Sequence, residues 1–192
     1  MKKYLHIALM LLCVFVVSSC KDDDDDTEAV EREAYKLEQD IAFQAKVNET
    51  GFVRWYSEAG DGYVCAKQIE KGNGKQAYFN SRVSVYYKGS LTDGTEFDAR
   101  LFDDGIPFPC AVSPYYAKTV TDPVTNSQTK YGSVISGWTV ALQHMVEGDK
   151  YEVWIPQQLA YGASDNGDIP AYSTLIFEIE LVSVDEQAAS AS

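Results

Sequence analysis

Between Leu175 and Val182 the chain alternates with a period of two. Leu175, Phe177, Ile179 and Leu181 share one face, and Ile176, Glu178, Glu180 and Val182 share the other. Successive side chains of a strand point to opposite faces, so this pattern demands a sheet with one face on a core and one largely solvated. That is the habit of antiparallel sheets. Further strand signals agree. Tyr63 to Ile69 is one; Val83, Val85 and Tyr87 alternate with Ser84, Tyr86 and Lys88; and Tyr151, Val153 and Ile155 share a face within Lys150 to Ile155. Phe52 to Tyr56 and Glu96 to Asp98 are shorter extended runs, and Pro107 to Val112 carries prolines that suit an edge strand. Gly137 to Met145 reads as one short helix, with Trp138, Leu142 and Met145 on one side. Many strands around one helix define an α+β fold.

Ahead of this region, Thr27 to Val47 reads as a longer helix, rich in Glu, Ala, Lys and Gln and free of Gly and Pro. Val30, Ala34, Leu37, Ile41 and Ala45 recur at spacings of three and four, which gives one apolar stripe. The stripe fits packing on the domain or pairing of two copies. Ser113 to Ser133 is polar, carries Pro114 and Pro123, and reads as a long loop.

The first 20 residues have the form of a signal peptide. Lys2 and Lys3 give a basic start, Leu5 to Val17 is apolar, and Val17-Ser18-Ser19-Cys20 closes it with small residues. The apolar run is shorter than the about 20 residues a membrane span needs. The closing residues resemble a bacterial lipobox, which implies lipidation of Cys20 and anchoring at the outer membrane, facing the periplasm or the cell surface. Residues 21–27, with five consecutive aspartates, read as a solvated tether, and residues 185–192 as a disordered tail. The remaining chain divides into a helix and linker over 28–61 and a domain over 62–184. The formal net charge of −13 repels phosphate backbones, which argues against nucleic acid as a partner.

Several chemistries lack their residues. Outside the signal peptide His144 is the sole histidine, with no Cys or His at ligand spacing, so no metal site is expected. No nucleophile elbow, P-loop or dinucleotide fingerprint occurs, and no cofactor is expected. Glu96, Asp98, Asp103 and Asp104 cluster in sequence, but acids are common on the surface of so acidic a chain.

A set of ordered motifs remains. These are Val85-Tyr86-Tyr87-Lys88-Gly89, Asp93-Gly94-Thr95-Glu96-Phe97-Asp98, Pro107-Phe108, Val134-Ile135-Ser136-Gly137-Trp138, Leu159-Ala160-Tyr161-Gly162-Ala163, Ile169-Pro170 and Thr174-Leu175-Ile176-Phe177. In order and spacing they resemble the FKBP-type peptidyl-prolyl isomerases, in their bacterial lipoprotein form. The resemblance implies a five-stranded antiparallel sheet curled around one short helix, here with an N-terminal helical extension.

The resemblance also implies a site between helix and sheet. Trp138 would be the floor, and Tyr87, Phe97, Phe108, Val134, Ile135, Ile169 and Phe177 the walls. Tyr161 would supply a hydroxyl, Asp98 a carboxylate beside the bound carbonyl, and the Ile135 backbone N–H a second donor. With Asp98, Tyr161 and Trp138 as the catalytic group, such a site would turn X–Pro bonds in proline-containing polypeptides without covalent chemistry, and would accept macrolides of the tacrolimus type. The expected role is to assist the folding of exported proteins. The alternative is a catalytically weak or inactive binding module of the same fold. A weaker third reading is a structural lipoprotein assembled through its N-terminal helix.

Three departures from the family stand out. The 113–133 stretch is longer than the usual connection and borders the rim, where it would be a lid, a grip or an obstruction. Asp168 stands where an apolar residue is common, in a loop one residue short. Cys110 replaces a bulky apolar residue. The family's strand order puts the Cys65 and Cys110 strands at opposite edges of the sheet, which implies two free thiols.

Overall fold

The computed structural model describes residues 24–187. The signal-peptide reading of residues 1–20 and the lipidation of Cys20 lie outside the described residues. Helix α1 runs Asp24–Val47. Nine strands follow: β1 Val53–Tyr56, β2 Tyr63–Glu70, β3 Ser81–Ser90, β4 Glu96–Arg100, β5 Phe108–Ala111, β6 Lys118–Thr121, β7 Gln128–Tyr131, β8 Lys150–Ile155 and β9 Leu175–Gln187. Helix α2, Ser136–Leu142, lies between β7 and β8. Among the described residues, those from Arg32 onward form one compact unit, which carries the whole sheet.

The main sheet has the order β1-β2-β8-β9-β3-β4, with β5 also paired to β3. Every pairing is antiparallel. Strand β3 gives Tyr87–Ser90 to β4 and Arg82–Val85 to β5, so those two short strands share one position along its free edge. The sheet thus has five positions from β2 to the shared β4/β5 edge, and β1, the short extended run at Phe52 to Tyr56, adds a sixth beyond β2. Strand β9 extends to Gln187, opposite Ser81, so the first residues of the expected tail belong to the sheet.

The inner face carries the alternation read from the sequence. Val85, Tyr87, Val153, Ile155, Leu175, Phe177, Ile179 and Leu181 are buried there with Trp138, Leu142 and Met145 of α2 and the turn after it. Gly137 is required for this packing: a Cβ there would lie 2.3 Å from Ile155 Cγ2. Cys65 and Cys110 are buried free thiols on β2 and β5. Burial pushes them up to about 11 and about 12 respectively.

Three sequence expectations need correction. First, α1 begins at Asp24, so Asp24–Thr27 form its first turn rather than the end of a tether; acidic residues at a helix start complement the helix dipole. Second, the apolar stripe on α1 does not pack on the domain: Leu37 is 60% and Ile41 58% accessible, and Val30, Ala34 and Ala45 are exposed as well. The buried face carries Gln39 and Phe43, at 2% and 4%. Phe43 packs with Cys65, Trp154 and Ile176 on the outer face of the sheet. Periodicity finds an apolar face, but the receiving surface selects the face that docks. This surface offers both apolar rings and the polar Thr92 and Thr174, which suit Phe43 and Gln39.

Third, the 113–133 stretch is not a structureless loop. It contains a 3-10 turn, Pro114–Tyr116, and the β6–β7 hairpin with register Lys118↔Tyr131 to Thr121↔Gln128. Asp122 Oδ1 accepts the Val124 and Thr125 N–H groups, and Asn126 takes the left-handed conformation at φ 57°. Asp-Pro and Asn are turn residues, and Thr119, Val120 and Thr121 are β-branched, so the signal was present.

Candidate functional site

A cavity of about 580 Å³ opens between α2 and the sheet, within the range of small-molecule sites. Its lining contains Tyr87, Phe97, Asp98, Phe108, Val134, Ile135, Trp138, Tyr161, Ile169 and Phe177, all ten of the residues that the resemblance implied for the site. Seven separate elements deliver them. Strands β3, β4, β5 and β9 contribute Tyr87, Phe97 and Asp98, Phe108, and Phe177. The entry to α2 brings Val134 and Ile135, and its first turn brings Trp138. Tyr161 follows a 3-10 turn at Gln157–Leu159, and Ile169 sits in the loop before β9.

The aromatic rings meet edge to face. Trp138 contacts Tyr87 at 5.1 Å and 81°, Phe177 at 5.2 Å and 89°, and Phe108 at 6.5 Å and 88°. Phe97 meets Phe177 at 5.6 Å and 83°. Such geometry sets the positive edge of one ring against the negative face of the next. Gly89 makes it possible, because a Cβ there would lie 2.7 Å from both Phe97 and Phe177. The Trp138 Nε1 is buried without a hydrogen-bond partner, so its ring contacts are what orient the indole.

One polar pair stands on the aromatic wall. The Tyr87 hydroxyl donates to Asp98 Oδ2 at 2.6 Å. Burial, and then the Asp98 carboxylate, push the Tyr87 phenol far above its ordinary range, so it remains a donor. Asp98 and Asp168 both border the cavity, and among the described residues no Lys or Arg does. The site can therefore hold an apolar ring against aromatic faces beneath an acidic mouth.

Sequence reasoning missed Ser133, Asn166 and Gly167 as lining residues, and treated Asp168 only as a departure. Polar loop residues carry no periodic signal, although Asn166-Gly167 is a turn pair, with Gly167 at φ 59°. Of the 113–133 stretch, only Ser133 lines the cavity, so the hairpin is neither lid nor obstruction in this structure. His144 lies outside the site; it stacks on Trp55 at 4.6 Å and its Nδ1 is 2.9 Å from the Val140 carbonyl. Among the described residues no group of three or more His, Cys, Asp or Glu converges as a metal site.

Comparison with known proteins decides the family. The model of the family described as FKBP-type peptidyl-prolyl cis-trans isomerase matches residues 74–182. The chain belongs to the FKBP-type peptidyl-prolyl cis-trans isomerase family.

It is 34% identical to the FKBP-type isomerase FkpA of Aeromonas hydrophila over 190 residues, covering 85% of this chain and 63% of that protein. The chain thus spans less than two thirds of that relative. It is 36% identical over 126 residues to an FK506-binding protein of Neisseria meningitidis, covering 65% of this chain and 99% of the relative. A crystal structure of a peptidyl-prolyl cis-trans isomerase from Pseudomonas syringae superposes with a TM-score of 0.61 at 27% identity, covering 87% of this chain and 100% of that one. The FKBP match includes every one of the ten cavity residues named above.

Proposed function

We propose that the chain catalyses peptidyl-prolyl cis–trans isomerisation and assists the folding of exported proteins from a lipid anchor on Cys20 at the outer membrane. The observation that carries the catalytic part is the aromatic cavity floored by Trp138, with the Tyr87–Asp98 pair on its wall. The location rests on the leader and the Cys20 context alone.

Rotation about a peptide bond costs about 18–20 kcal/mol because amide resonance is lost. The twisted amide is less polar at its carbonyl oxygen than the planar one. A water-poor aromatic cavity favours the twisted form over a solvated planar amide. Trp138, Phe177 and Phe108 would grip the proline ring, and Asp98 would face the carbonyl carbon. The Tyr161 hydroxyl and the Ile135 N–H would hold the chain on one side of the bond while the other side turns. The same cavity would take a macrolide of the tacrolimus type, as the name of the Neisseria relative suggests.

The test is turnover of a proline tetrapeptide, with Asp98→Val and Trp138→Ala as controls. Wild type should exceed the uncatalysed rate, and both variants should fall towards it. A wild-type rate equal to the uncatalysed one refutes catalysis and leaves the binding module. The anchor is tested separately: Cys20→Ala should release the protein from the membrane fraction.

A further inference from the structure

Helix α1 belongs to no part of the reaction described above, yet it touches the segment that forms one rim of the cavity. That segment, residues 165–174, supplies Asn166, Gly167, Asp168 and Ile169 to the lining. Its backbone is unusual. Tyr172 takes φ 67° without being glycine, a conformation that persists only when its surroundings impose it. The Tyr172 N–H donates to the Gly162 carbonyl at 2.7 Å, which ties the segment to the neighbour of Tyr161.

Residues 32–43 of α1 grip this strained stretch at successive points. The Tyr35 hydroxyl lies 2.9 Å from Ser173 Oγ, which itself donates to the Pro170 carbonyl at 2.7 Å. Lys36 Nζ sits 5.8 Å from the centre of the Tyr172 ring. Gln39 is the anchor. Its Oε1 accepts the Thr174 N–H at 3.1 Å, its backbone carbonyl accepts the Thr174 hydroxyl at 3.3 Å, and its Nε2 donates to Thr92 Oγ1 at 3.0 Å. Thr92 belongs to the turn that leads into β4, the strand carrying Phe97 and Asp98. A buried amide with these bonds has one low-energy arrangement, because an unsatisfied group in that place is costly. Gln39 therefore couples two segments that border the cavity from opposite directions in the chain.

We propose that α1 is a strap that sets the cavity rim, with Gln39 and Tyr35 as positioning residues for Ile169 and Tyr161. The proposal rests on the isomerase reading for its kinetic consequence but not for its structural one. Gln39→Met keeps the length of the side chain and removes its side-chain hydrogen bonds to Thr174 N–H and Thr92, leaving only the backbone carbonyl's bond from the Thr174 hydroxyl. Tyr35→Phe removes a single hydroxyl at the edge of the contact and leaves the core intact should Gln39→Met fail to fold.

Two measurements on the full chain decide it. The first is KM and kcat for a proline tetrapeptide; the second is amide hydrogen exchange over residues 166–174. The strap predicts a rise in KM of about fivefold for Gln39→Met with kcat changed less than about twofold. Exchange should quicken in 166–174 and not in β8, with smaller changes of the same kind in Tyr35→Phe. Unchanged exchange in that segment overturns the proposal, as does faster exchange with an unchanged KM. A uniform quickening across the domain also overturns it, since that marks loss of global stability. If wild type shows no turnover, the isomerase reading fails, and the exchange pattern alone decides the strap.

Discussion

The Tyr87 hydroxyl and the Asp98 carboxylate form the shortest polar contact at the cavity, 2.6 Å between Oη and Oδ2. The two residues sit on paired strands, where Tyr87 faces Arg100 and Asp98 faces Gly89. The bond therefore runs diagonally across the β3–β4 ladder, a reach that a long aromatic side chain permits. It fixes the carboxylate on the aromatic wall of the cavity.

Tyr87→Phe removes this donor while keeping the ring. Tetrapeptide turnover should drop about tenfold, the scale of a lost charge-assisted hydrogen bond. Because the phenol is raised in the folded protein, it stays protonated through the neutral and mildly alkaline range. The wild-type pH–rate profile should show no step from Tyr87 there. A step near pH 9 that is absent from Tyr87→Phe would contradict this.

Gly89→Ala should damage the aromatic wall. The added methyl meets Phe97 and Phe177 ring atoms at 2.7 Å, so the rings must shift and the edge-to-face contacts of Phe177 with Phe97 and Trp138 are disturbed. Overpacking of this kind costs about 1–3 kcal/mol. Thermal unfolding should move down by about 2–4 °C per kcal/mol for a chain of this size.

The acidic mouth should bias substrate choice. Asp98 and Asp168 border the cavity without a basic partner among its lining residues. Peptides with Lys beside proline should turn over about two- to fivefold faster than those with Glu, as expected for partly exposed charges. Asp168→Asn should narrow the ratio, and added salt should do the same.

Removal of the β6–β7 hairpin, with residues 118–131 replaced by a short Gly-Ser turn, should leave tetrapeptide turnover within about twofold, because nothing in that range lines the cavity. A large loss would return the hairpin to the role of substrate grip.

Glu147 links two distant segments: its carboxylate accepts the Val184 N–H at 2.7 Å and the Lys75 N–H at 3.2 Å. These bonds hold its carboxyl below the ordinary value of 4.5. A lowered folded-state value gives stability that is present above the unfolded value and lost as pH falls through the folded one. Glu147→Gln should lower the urea midpoint at pH 7. The gap between variant and wild type should close below about pH 4.

Strand and helix periods made the sheet and α2 legible in the sequence, and the family resemblance implied the ten residues that line the cavity. Period two tells which face of β9 is buried, and Phe177 follows from that; a Trp one turn into a short apolar helix points at the same core. The docking face of α1 was not legible. Leu37 and Ile41 form the more apolar face, yet Gln39 and Phe43 are buried, since only the assembled sheet offers Thr174, Thr92, Cys65 and Trp154 to receive them. The hairpin was missed for a different reason: its turn residues were visible, but its strands are too short for alternation to register.

By itself the sequence determined the elements whose partners lie in the repeating pattern: which strand residues face the core, where the chain turns, and which ordered motifs it shares with one family. Only the tertiary structure decided the relations between segments far apart in the chain. The strap from Gln39 to Thr174 spans 135 residues, and the Tyr87–Asp98 bond depends on the pairing of β3 with β4. Local periodicity records which surface is apolar. Hydrogen-bond partners and receiving grooves exist only after the chain has brought them together.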